Sequence, residues 1–412
     1  MSHMVNDRLL TILNFGILYE DILEYQHFRV VKLTMRRPYA SSLFSVSLHV
    51  SIVLEDLEIQ HSWHPFHENI PPLRYGGVER IVSFLAEELV TLGHEVTLYA
   101  CGGSVTTARL IESWPRSFRD DGIGFVNDVV KGPYGRQLHD VFSDRQTQGY
   151  DIVHVHHGTE PFHFDAMVPT MQGPILWTDH GLLDYPGKPD VLRYLQRECG
   201  VKLTAISEWQ RSTLPSDIDC FGVVHNGIPA DLLMALPQPE GRKYLAFLGR
   251  VAPEKGIEDA IEIAQRSGYH LKLAAKIDDV FRDYYDAEIV PRLKKHDLDF
   301  VGEIDDAAKS GFLSGAAALL FPVHWEEPFG MVMIEAFACG TPVIAYRRGA
   351  VDEVVVDGVT GFKVSNVDEA VATVAKLGTI DTHNVRQVFE RSFTARMMAN
   401  SYLELYERLL KT

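Results

Sequence analysis

Short apolar segments that become polar at their carboxyl ends recur along this chain of 412 residues. Asp151–His157, Ile175–Gly181 and Leu203–Ser207 each have this form. Segments with apolar residues at helical spacing alternate with them, and Val78–Leu89 is one example. Strands of this kind pair in parallel, because helices cover both faces of the sheet. The alternation therefore predicts an α/β protein with doubly wound parallel sheets.

The composition is that of a soluble globular protein, and the charge argues against some classes of partner. Hydrophobic residues make up 46% of the chain and charged residues 23%, which is ordinary for such proteins. The formal net charge is −17 at pH 7, which disfavours attraction to nucleic acid or to anionic membranes. No apolar run approaches the roughly 20 residues of a membrane span, so we expect no integral membrane segment.

The cysteines are few and dispersed. Cys101, Cys199, Cys220 and Cys339 form no Cys-x-x-Cys pair. This usage favours reduced thiols over a disulfide or zinc framework. We therefore expect a cytoplasmic enzyme.

A stretch without periodicity divides the chain. Pro229–Gly241 contains three prolines and is typical of an inter-domain linker. The predicted organisation is an N-terminal extension of unknown role at 1–43, a first domain at 44–235, a second domain at 236–385 and a C-terminal helix at 386–412.

The segment Glu326–Pro342 carries the most informative pattern. It follows the strand-like run Ala316–Pro322 and predicts a loop with Glu327 just before a helix that contains Glu335. The carboxyl end of a strand is where open α/β sheets bind ligands. A helix N-terminus there suits a phosphate or a sugar hydroxyl. An ordinary structural unit with two solvated glutamates is the alternative, and the segment alone does not decide between them.

Other candidate residues lie at similar junctions between strands and helices. Gly76–Gly77 precede a helix and would let the backbone approach an anion closely. In the second domain, Arg250 ends the strand Tyr244–Arg250 and Lys255 precedes the next helix. Two further charged residues follow predicted strands at 271–275 and 300–302, and they are Lys276 and Glu303.

These side chains together predict a nucleoside-diphosphate-sugar site. Arg250 and Lys255 could hold a diphosphate without a metal, although lone basic residues are usually solvated. Ionised Glu327 and Glu335 could accept hydrogen bonds from sugar hydroxyls. The corresponding reaction is glycosyl transfer, in which the protein stabilises the charge that develops on the departing diphosphate.

A metal site is not expected. The Asp-x-Asp triplets 217–219 and 297–299 lie away from the other candidate residues, and surface charge is the default interpretation. The loop histidines His61, His64 and His67 have a spacing that fits no helix face, which favours solvation over metal binding.

The chain resembles the retaining glycosyltransferases of the GT-B fold, of the group 1 or family 4 type. The most specific similarity is the Glu-x7-Glu motif from Glu327 to Glu335, which begins with the sequence Glu-Pro-Phe-Gly. Supporting similarities are Gly76–Gly77, Gly249-Arg250 with Lys255, His154-Val155-His156, Asn226–Gly227 and Asp357–Phe362.

This resemblance implies two Rossmann-like domains with parallel sheets that face each other across a cleft. The first domain would bind the acceptor and the second the donor, and the terminal helix would cross back to the first domain. The donor would be a UDP-, GDP- or ADP-hexose, and the acceptor a small molecule, a glycan or a lipid-linked group. No cofactor or metal is implied.

The resemblance also implies roles for individual residues. Arg250 and Lys255 would neutralise the diphosphate, Glu335 would bind the ribose and Glu327 the donor sugar. The active-site histidine would be His156, with the adjacent His157 as an alternative. Backbone groups would complete the donor site, namely those of Gly76 and Gly77 at the phosphates and of Pro328, Phe329, Gly330, Met331 and Val332 at the sugar and distal phosphate.

Two other functions on the same fold stay open from the sequence. A nucleotide-sugar epimerase would also handle the diphosphate leaving group, and a non-catalytic protein could bind a nucleotide sugar. The sequence also departs from the family, because Lys276–Asp278 stands where many relatives have a glycine-rich turn. Lys276 is therefore either a third cation near the phosphates or a surface lysine.

Overall fold

The computed structural model describes residues 49–55, 68–72, 76–117, 141–142, 144–145, 149–157, 171–238, 241–296 and 298–412. The predicted extension at 1–43, the three loop histidines and Asp297 lie outside these residues. The described residues form two α/β domains, each built on a parallel sheet.

The first domain contains a parallel sheet of seven strands within the described ranges. The strands are β1 (His49–Glu55), β2 (Glu95–Cys101), β3 (Arg109–Trp114), β4 (Ile152–His157), β5 (Ile175–Asp179), β6 (Lys202–Ala205) and β7 (Cys220–Val223). Their order is β3-β2-β1-β4-β5-β6-β7, and every adjacent pair is parallel. All carboxyl ends therefore lie at one edge of the sheet, and polar side chains that follow the strands can meet there.

Helices cover this sheet. They are α1 (Gly77–Thr91), α2 (Lys188–Cys199) and α3 (Glu208–Ser212). In α1 the side chains of Ile81, Val82, Leu85 and Leu89 are buried at helical spacing. Burial of one such side chain contributes about 1.5–3 kcal/mol to folding, so this face fixes α1 on the sheet and thereby fixes Gly76 at its N-terminus.

The second domain has a parallel sheet of six strands in the part of the chain that is described. The strands are β8 (Tyr244–Arg250), β9 (His270–Lys276), β10 (Leu298–Phe300), β11 (Ala316–Phe321), β12 (Val343–Tyr346) and β13 (Gly361–Val364). Their order is β10-β9-β8-β11-β12-β13. The chain reverses its direction of winding between β8 and β11, which is the topological switch point where such sheets bind ligands.

The helices of this domain and of the C-terminus follow in chain order. They are α4 (Ile257–Ser267), α5 (Arg282–Tyr284), α6 (Val290–Lys295), α7 (Asp306–Ser314), α8 (Met331–Ala338), α9 (Val351–Val354), α10 (Val367–Val374), α11 (Thr382–Ser392) and α12 (Ala395–Leu409). Short 3-10 turns lie at Pro253–Lys255, Asp279–Phe281 and Leu377–Thr379, and a π-helical turn at Tyr285–Ile289 joins α5 to α6.

The last helix, α12, follows the second domain in sequence but packs against α1 of the first domain. Its Tyr402 and Tyr406 side chains are fully buried. The Tyr406 hydroxyl lies 2.7 Å from Nδ1 of His154 on β4, and Arg396 pairs with Glu88 at 2.6 Å. The chain thus returns to the first domain, and this helix forms part of that domain's core.

Three predicted elements differ from the structure. From its sequence, the run Val223–Ile228 predicts a further strand. This prediction is wrong, because β7 covers Cys220–Val223 and the chain then turns to meet the start of α12. A Cβ on Gly227 would lie 2.3 Å from the Thr394 carbonyl oxygen. The strand predicted at 300–302 lies two residues earlier, at Leu298–Phe300. The single C-terminal helix predicted at 386–412 is two helices, α11 and α12, and Thr394 caps the start of α12.

Two further observations concern the class of protein. None of the four cysteines, which all lie in the described ranges, forms a disulfide, and they are Cys101, Cys199, Cys220 and Cys339. Within the described ranges, no helix combines the length and the apolar character that crossing a membrane requires.

Candidate active site

A cavity of about 230 Å³ lies between the two domains, at the carboxyl ends of their strands. It brings together residues that are far apart in sequence. Thirteen of the fourteen predicted site residues line it, and they are Gly76, Gly77, Arg250, Lys255, Lys276, Glu303, Glu327, Pro328, Phe329, Gly330, Met331, Val332 and Glu335. The fourteenth, His156, is absent from this wall as far as the structure describes it.

The first-domain wall is the N-terminus of α1. Gly76 is the N-cap, and no described side chain caps the first N–H groups of the helix. A Cβ on Gly76 would lie 2.7 Å from Cγ of Pro72, so the close approach of these segments requires glycine. Uncapped N–H groups and the helix dipole together favour an anion at this position.

Three cations line the opposite wall. Arg250 and Lys276 are paired neighbours at the ends of β8 and β9, and Lys255 ends the turn after β8. Asp278 lies between the first two, 3.5 Å from Nη1 of Arg250 and 2.8 Å from Nζ of Lys276. Lys276 is thus in the cavity wall, where a carboxylate fixes it before any ligand arrives.

The loop that precedes α8 places Glu327 next to these cations. Its Oε2 accepts hydrogen bonds from Nζ of Lys255 at 2.8 Å and from Nε1 of Trp325 at 3.0 Å. Its backbone oxygen accepts a hydrogen bond from the N–H of Ala350 at 2.9 Å. The side chain and the backbone of Glu327 are therefore both fixed.

Glu335 lies in the second turn of α8 and is buried, with 5% of its surface exposed. Its Oε1 accepts a charge-assisted hydrogen bond from Nζ of Lys309 at 2.6 Å. Lys309 also lies 3.2 Å from Oδ1 of Asp306, and Oδ2 of Asp306 pairs with Arg80 of the first domain. A chain of alternating charges thus links Glu335 to the first-domain wall of the cavity.

The site residues predicted from the sequence did not include Lys309, Asp306 or Arg80. Burial raises the pKa of Asp306, but the charges of Lys309 and Arg80 outweigh it and hold the pKa below its usual value. The only sequence signal was the i, i+3 spacing of Asp306 and Lys309, and such pairs usually lie on the surface.

The assignment of His156 to the active site requires correction. His156 is fully buried behind the cavity wall, and its Nδ1 lies 3.0 Å from Nε2 of His180. His180 follows β5 and lines the cavity. The side chain of His157, the alternative, lies outside the described residues. His180 stands after the polar end of a predicted strand, which is the signal that could have identified it.

Three neighbouring histidines are neutral near pH 7, and they are His154, His156 and His180. Burial, and then the positive charge of Lys188, lowers the pKa of His180 to about 3. Burial is also the main cause that lowers the pKa values of His154 and His156 well below their usual range. Lys188 itself pairs with Asp179 at 3.0 Å in the interior.

The acidic triplets lie elsewhere. Asp217 pairs with Arg193 at 2.6 Å on the surface, and Asp299 lies 3.1 Å from His270. In the described part of the chain, no group of three or more His, Cys, Asp or Glu side chains has an arrangement that could hold a metal ion.

Comparison with known families identifies the protein class. A model described as Glycosyltransferase Family 4 matches residues 75–232, and one described as Glycosyl transferases group 1 matches residues 233–389. The chain belongs to the group 1 glycosyltransferases. The prediction of this family is confirmed, and so is the GT-B architecture of two parallel α/β domains across a cleft.

One curated relative supports the family, and two solved structures share the fold of this glycosyltransferase. A phosphatidyl-myo-inositol mannosyltransferase of Mycolicibacterium smegmatis is 28% identical over 349 residues, which cover 78% of this chain and 84% of the relative. The structure of a sucrose-phosphate synthase from Thermosynechococcus elongatus has a TM-score of 0.67 at 16% identity, covering 87% of this chain and 99% of that one. The Anabaena protein HepE, in complex with UDP-glucose, has a TM-score of 0.60 at 15% identity over 88% of this chain and 100% of that one.

Proposed function

We propose that this group 1 glycosyltransferase moves a hexosyl group from a nucleoside-diphosphate sugar to a hydroxyl acceptor, with retention of the anomeric configuration and without a metal. The observation that carries the proposal is the shared cavity. It combines Arg250, Lys255 and Lys276 with Glu327 and Glu335, opposite the uncapped N-terminus of α1.

The donor has a natural orientation in this cavity. The diphosphate would lie against Arg250, Lys255 and Lys276, since guanidinium and ammonium groups bind phosphate oxygens strongly. Glu335 would accept hydrogen bonds from the ribose hydroxyls with the oxygen that Lys309 leaves open. The UDP-glucose complex of HepE supports a donor of this chemical class.

The chemistry follows from charge. As the bond between the anomeric carbon and the phosphate oxygen breaks, negative charge grows on the diphosphate, and preorganised cations stabilise it more than they stabilise the bound donor. The ammonium of Lys255 has three N–H donors, so it can keep its hydrogen bond to Glu327 while another N–H contacts phosphate.

Retention would follow from attack on the same face. The acceptor oxygen bonds to the anomeric carbon of an oxocarbenium-like state from the side that the diphosphate leaves, and the acceptor proton passes to a phosphate oxygen. Neutral His180, whose pKa is lowered to about 3 by burial and by Lys188, is a poor proton acceptor near pH 7. Its contribution would be a hydrogen bond to the bound sugar or acceptor.

The names of two similar proteins bear on the acceptor. One is a phosphatidyl-myo-inositol mannosyltransferase and the other a sucrose-phosphate synthase, so one is named for a lipid and the other for a small sugar phosphate. We propose a hydroxyl acceptor from a small molecule, a glycan or a lipid-linked group.

Release of the nucleoside diphosphate tests the proposal. The protein is incubated with UDP-glucose, GDP-mannose or ADP-glucose, with and without a mixture of sugar and polyol acceptors, each in the presence and in the absence of EDTA. We expect one donor to release its nucleoside diphosphate faster with acceptors, at a rate that EDTA leaves unchanged, and the product to keep the donor's anomeric configuration by NMR. Rapid epimerisation of the donor without acceptor, or an inverted product, would contradict the proposal.

A further inference from the structure

Trp325 directly precedes Glu326 and Glu327 in the loop before α8, and it makes two contacts with the candidate site. Its indole Nε1 donates a hydrogen bond to Oε2 of Glu327 at 3.0 Å. Its ring lies below Nζ of Lys255, 4.5 Å from the centroid. One side chain therefore contacts both Glu327, proposed to bind the sugar, and Lys255, proposed to bind the diphosphate.

These contacts give the two carboxylate oxygens of Glu327 different environments. Oε2 accepts from both Lys255 and Trp325, whereas Oε1 receives no hydrogen bond from any described residue. An ionised carboxylate has acceptor capacity on both oxygens. Since Glu327 lines the cavity, Oε1 is the oxygen available to a ligand.

The backbone of Glu327 is fixed by a separate segment. Gly349 has a φ of 58°, and a Cβ there would lie 2.1 Å from the backbone oxygen of Glu327. The next residue, Ala350, donates its N–H to that same oxygen. Only the side-chain torsions of Glu327 are left to be set, and the hydrogen bonds at Oε2 set them.

We propose that Trp325 is a positioning residue that holds Glu327 with Oε1 directed to a hydroxyl of the donor's sugar. This inference rests on the proposed function and deepens it. Cation–π attraction keeps Lys255 over the indole ring, and the indole N–H holds Oε2 beside that ammonium. Trp325 thereby keeps Glu327, which would bind the sugar, at a fixed distance from Lys255, which would bind the diphosphate.

If Trp325 positions Glu327, its indole N–H is required, whereas a residue that only fills space would not need this donor. Phenylalanine at position 325 keeps an aromatic face for Lys255 but removes the donor to Glu327. The Trp325→Phe protein should then lose the fixed orientation of Oε1 while the cations of the diphosphate site stay in place. Leucine removes both the donor and the aromatic face.

The test compares intact donors with their nucleotides by titration calorimetry. UDP-glucose, GDP-mannose, ADP-glucose and free UDP, GDP and ADP are titrated into the wild type, and the donor that binds is taken forward with its nucleotide. Trp325→Phe should weaken binding of the sugar nucleotide about tenfold, which corresponds to one hydrogen bond to a charged group, and leave the free nucleotide within about twofold. Trp325→Leu should weaken both.

Glu327→Gln provides the matched comparison. If Trp325 acts through Glu327, the double variant Trp325→Phe/Glu327→Gln should bind the sugar nucleotide no more than about twofold more weakly than Glu327→Gln alone. Wild-type binding of the sugar nucleotide by Trp325→Phe would overturn the inference, and so would an equal loss for donor and nucleotide. If the wild type binds none of the six compounds, the proposed function fails and this inference fails with it.

Discussion

Nε2 of His225 in the first domain lies 2.9 Å from Oε2 of Glu353 in the second. The same carboxylate accepts the backbone N–H groups of Glu208 and Trp209, in the first turn of α3. Burial alone would raise the pKa of Glu353, but these hydrogen bonds outweigh it and lower the pKa below its usual value. One ionised side chain of the second domain therefore caps a helix of the first.

Removal of this carboxylate should loosen the closed arrangement of the domains. Glu353→Ala loses three hydrogen bonds to a charged group, and such a bond contributes about 1.5–3 kcal/mol. We expect a larger radius of gyration by small-angle X-ray scattering and a raised KM for the donor, because the wall at Gly76 moves away from the cations. The adjacent Asp352→Ala, whose side chain is 63% exposed, is the control. An unchanged radius and KM in Glu353→Ala would contradict this role.

Alanine at position 349 should displace Glu327 and impair catalysis. Gly349 and Gly358 both have positive φ, so alanine costs about 1 kcal/mol of backbone strain at either position. Only at Gly349 would the new Cβ meet the backbone of Glu327, whereas at Gly358 nothing lies within 4 Å. Gly349→Ala should reduce kcat/KM at least tenfold relative to Gly358→Ala. Equal kcat/KM values for the two variants would show that the loop tolerates the displacement.

The buried pair of Lys309 and Glu335 makes a prediction about stability. Lys309→Met leaves the Glu335 carboxylate in the interior with its ammonium partner removed, which costs about 3–5 kcal/mol. The free energy of unfolding, measured in urea, should fall by that amount. The double variant Lys309→Met/Glu335→Gln should recover part of the loss, because no buried charge then lacks a partner. Additive losses in the double variant would contradict the pairing.

The buried histidines make a prediction about pH. Burial lowers the pKa of His154 and His156, and burial with Lys188 lowers that of His180 to about 3, whereas unfolded histidines titrate near 6.5. Below pH of about 6.5 the unfolded chain binds protons that the folded chain does not. The free energy of unfolding should therefore fall between pH 6.5 and 5.5, by up to about 1.4 kcal/mol for each histidine. Urea titrations at pH 7.5, 6.5 and 5.5 measure it, and His156→Asn should reduce the slope. A constant value would contradict neutral burial.

The parts of the fold that sequence could predict are those with strong local signals. The strand Tyr244–Arg250 is an apolar run up to its last residue, its centre is buried, and the structure has it at the predicted residues. Arg109–Trp114 was not predicted. It is an edge strand of mixed polarity whose residues are mostly half-buried or exposed, so its pattern lacks the apolar run that marks the interior strands.

The candidate site shows the same division. Arg250, Lys255 and Glu327 stand at strand ends or loops next to helix starts, and this local context was enough to group them. Lys309 could not be found, because its burial depends on α7 packing against α8, which is a tertiary property. The choice between His156 and His180 likewise depends on depth below the cavity surface, and periodicity along a strand does not encode depth.

Turnover of Arg250→Ala with the donor that the wild type uses tests the proposed diphosphate site most directly. We predict that kcat falls by about 10²–10³, because in the proposed mechanism the guanidinium stabilises charge on the leaving diphosphate in the transition state. Lys255→Ala should behave alike, while Lys411→Ala, at an exposed position on the C-terminal tail, should keep wild-type kcat. Circular dichroism should show an intact fold in all three. Wild-type kcat in both Arg250→Ala and Lys255→Ala would contradict the assignment of this cavity to the diphosphate.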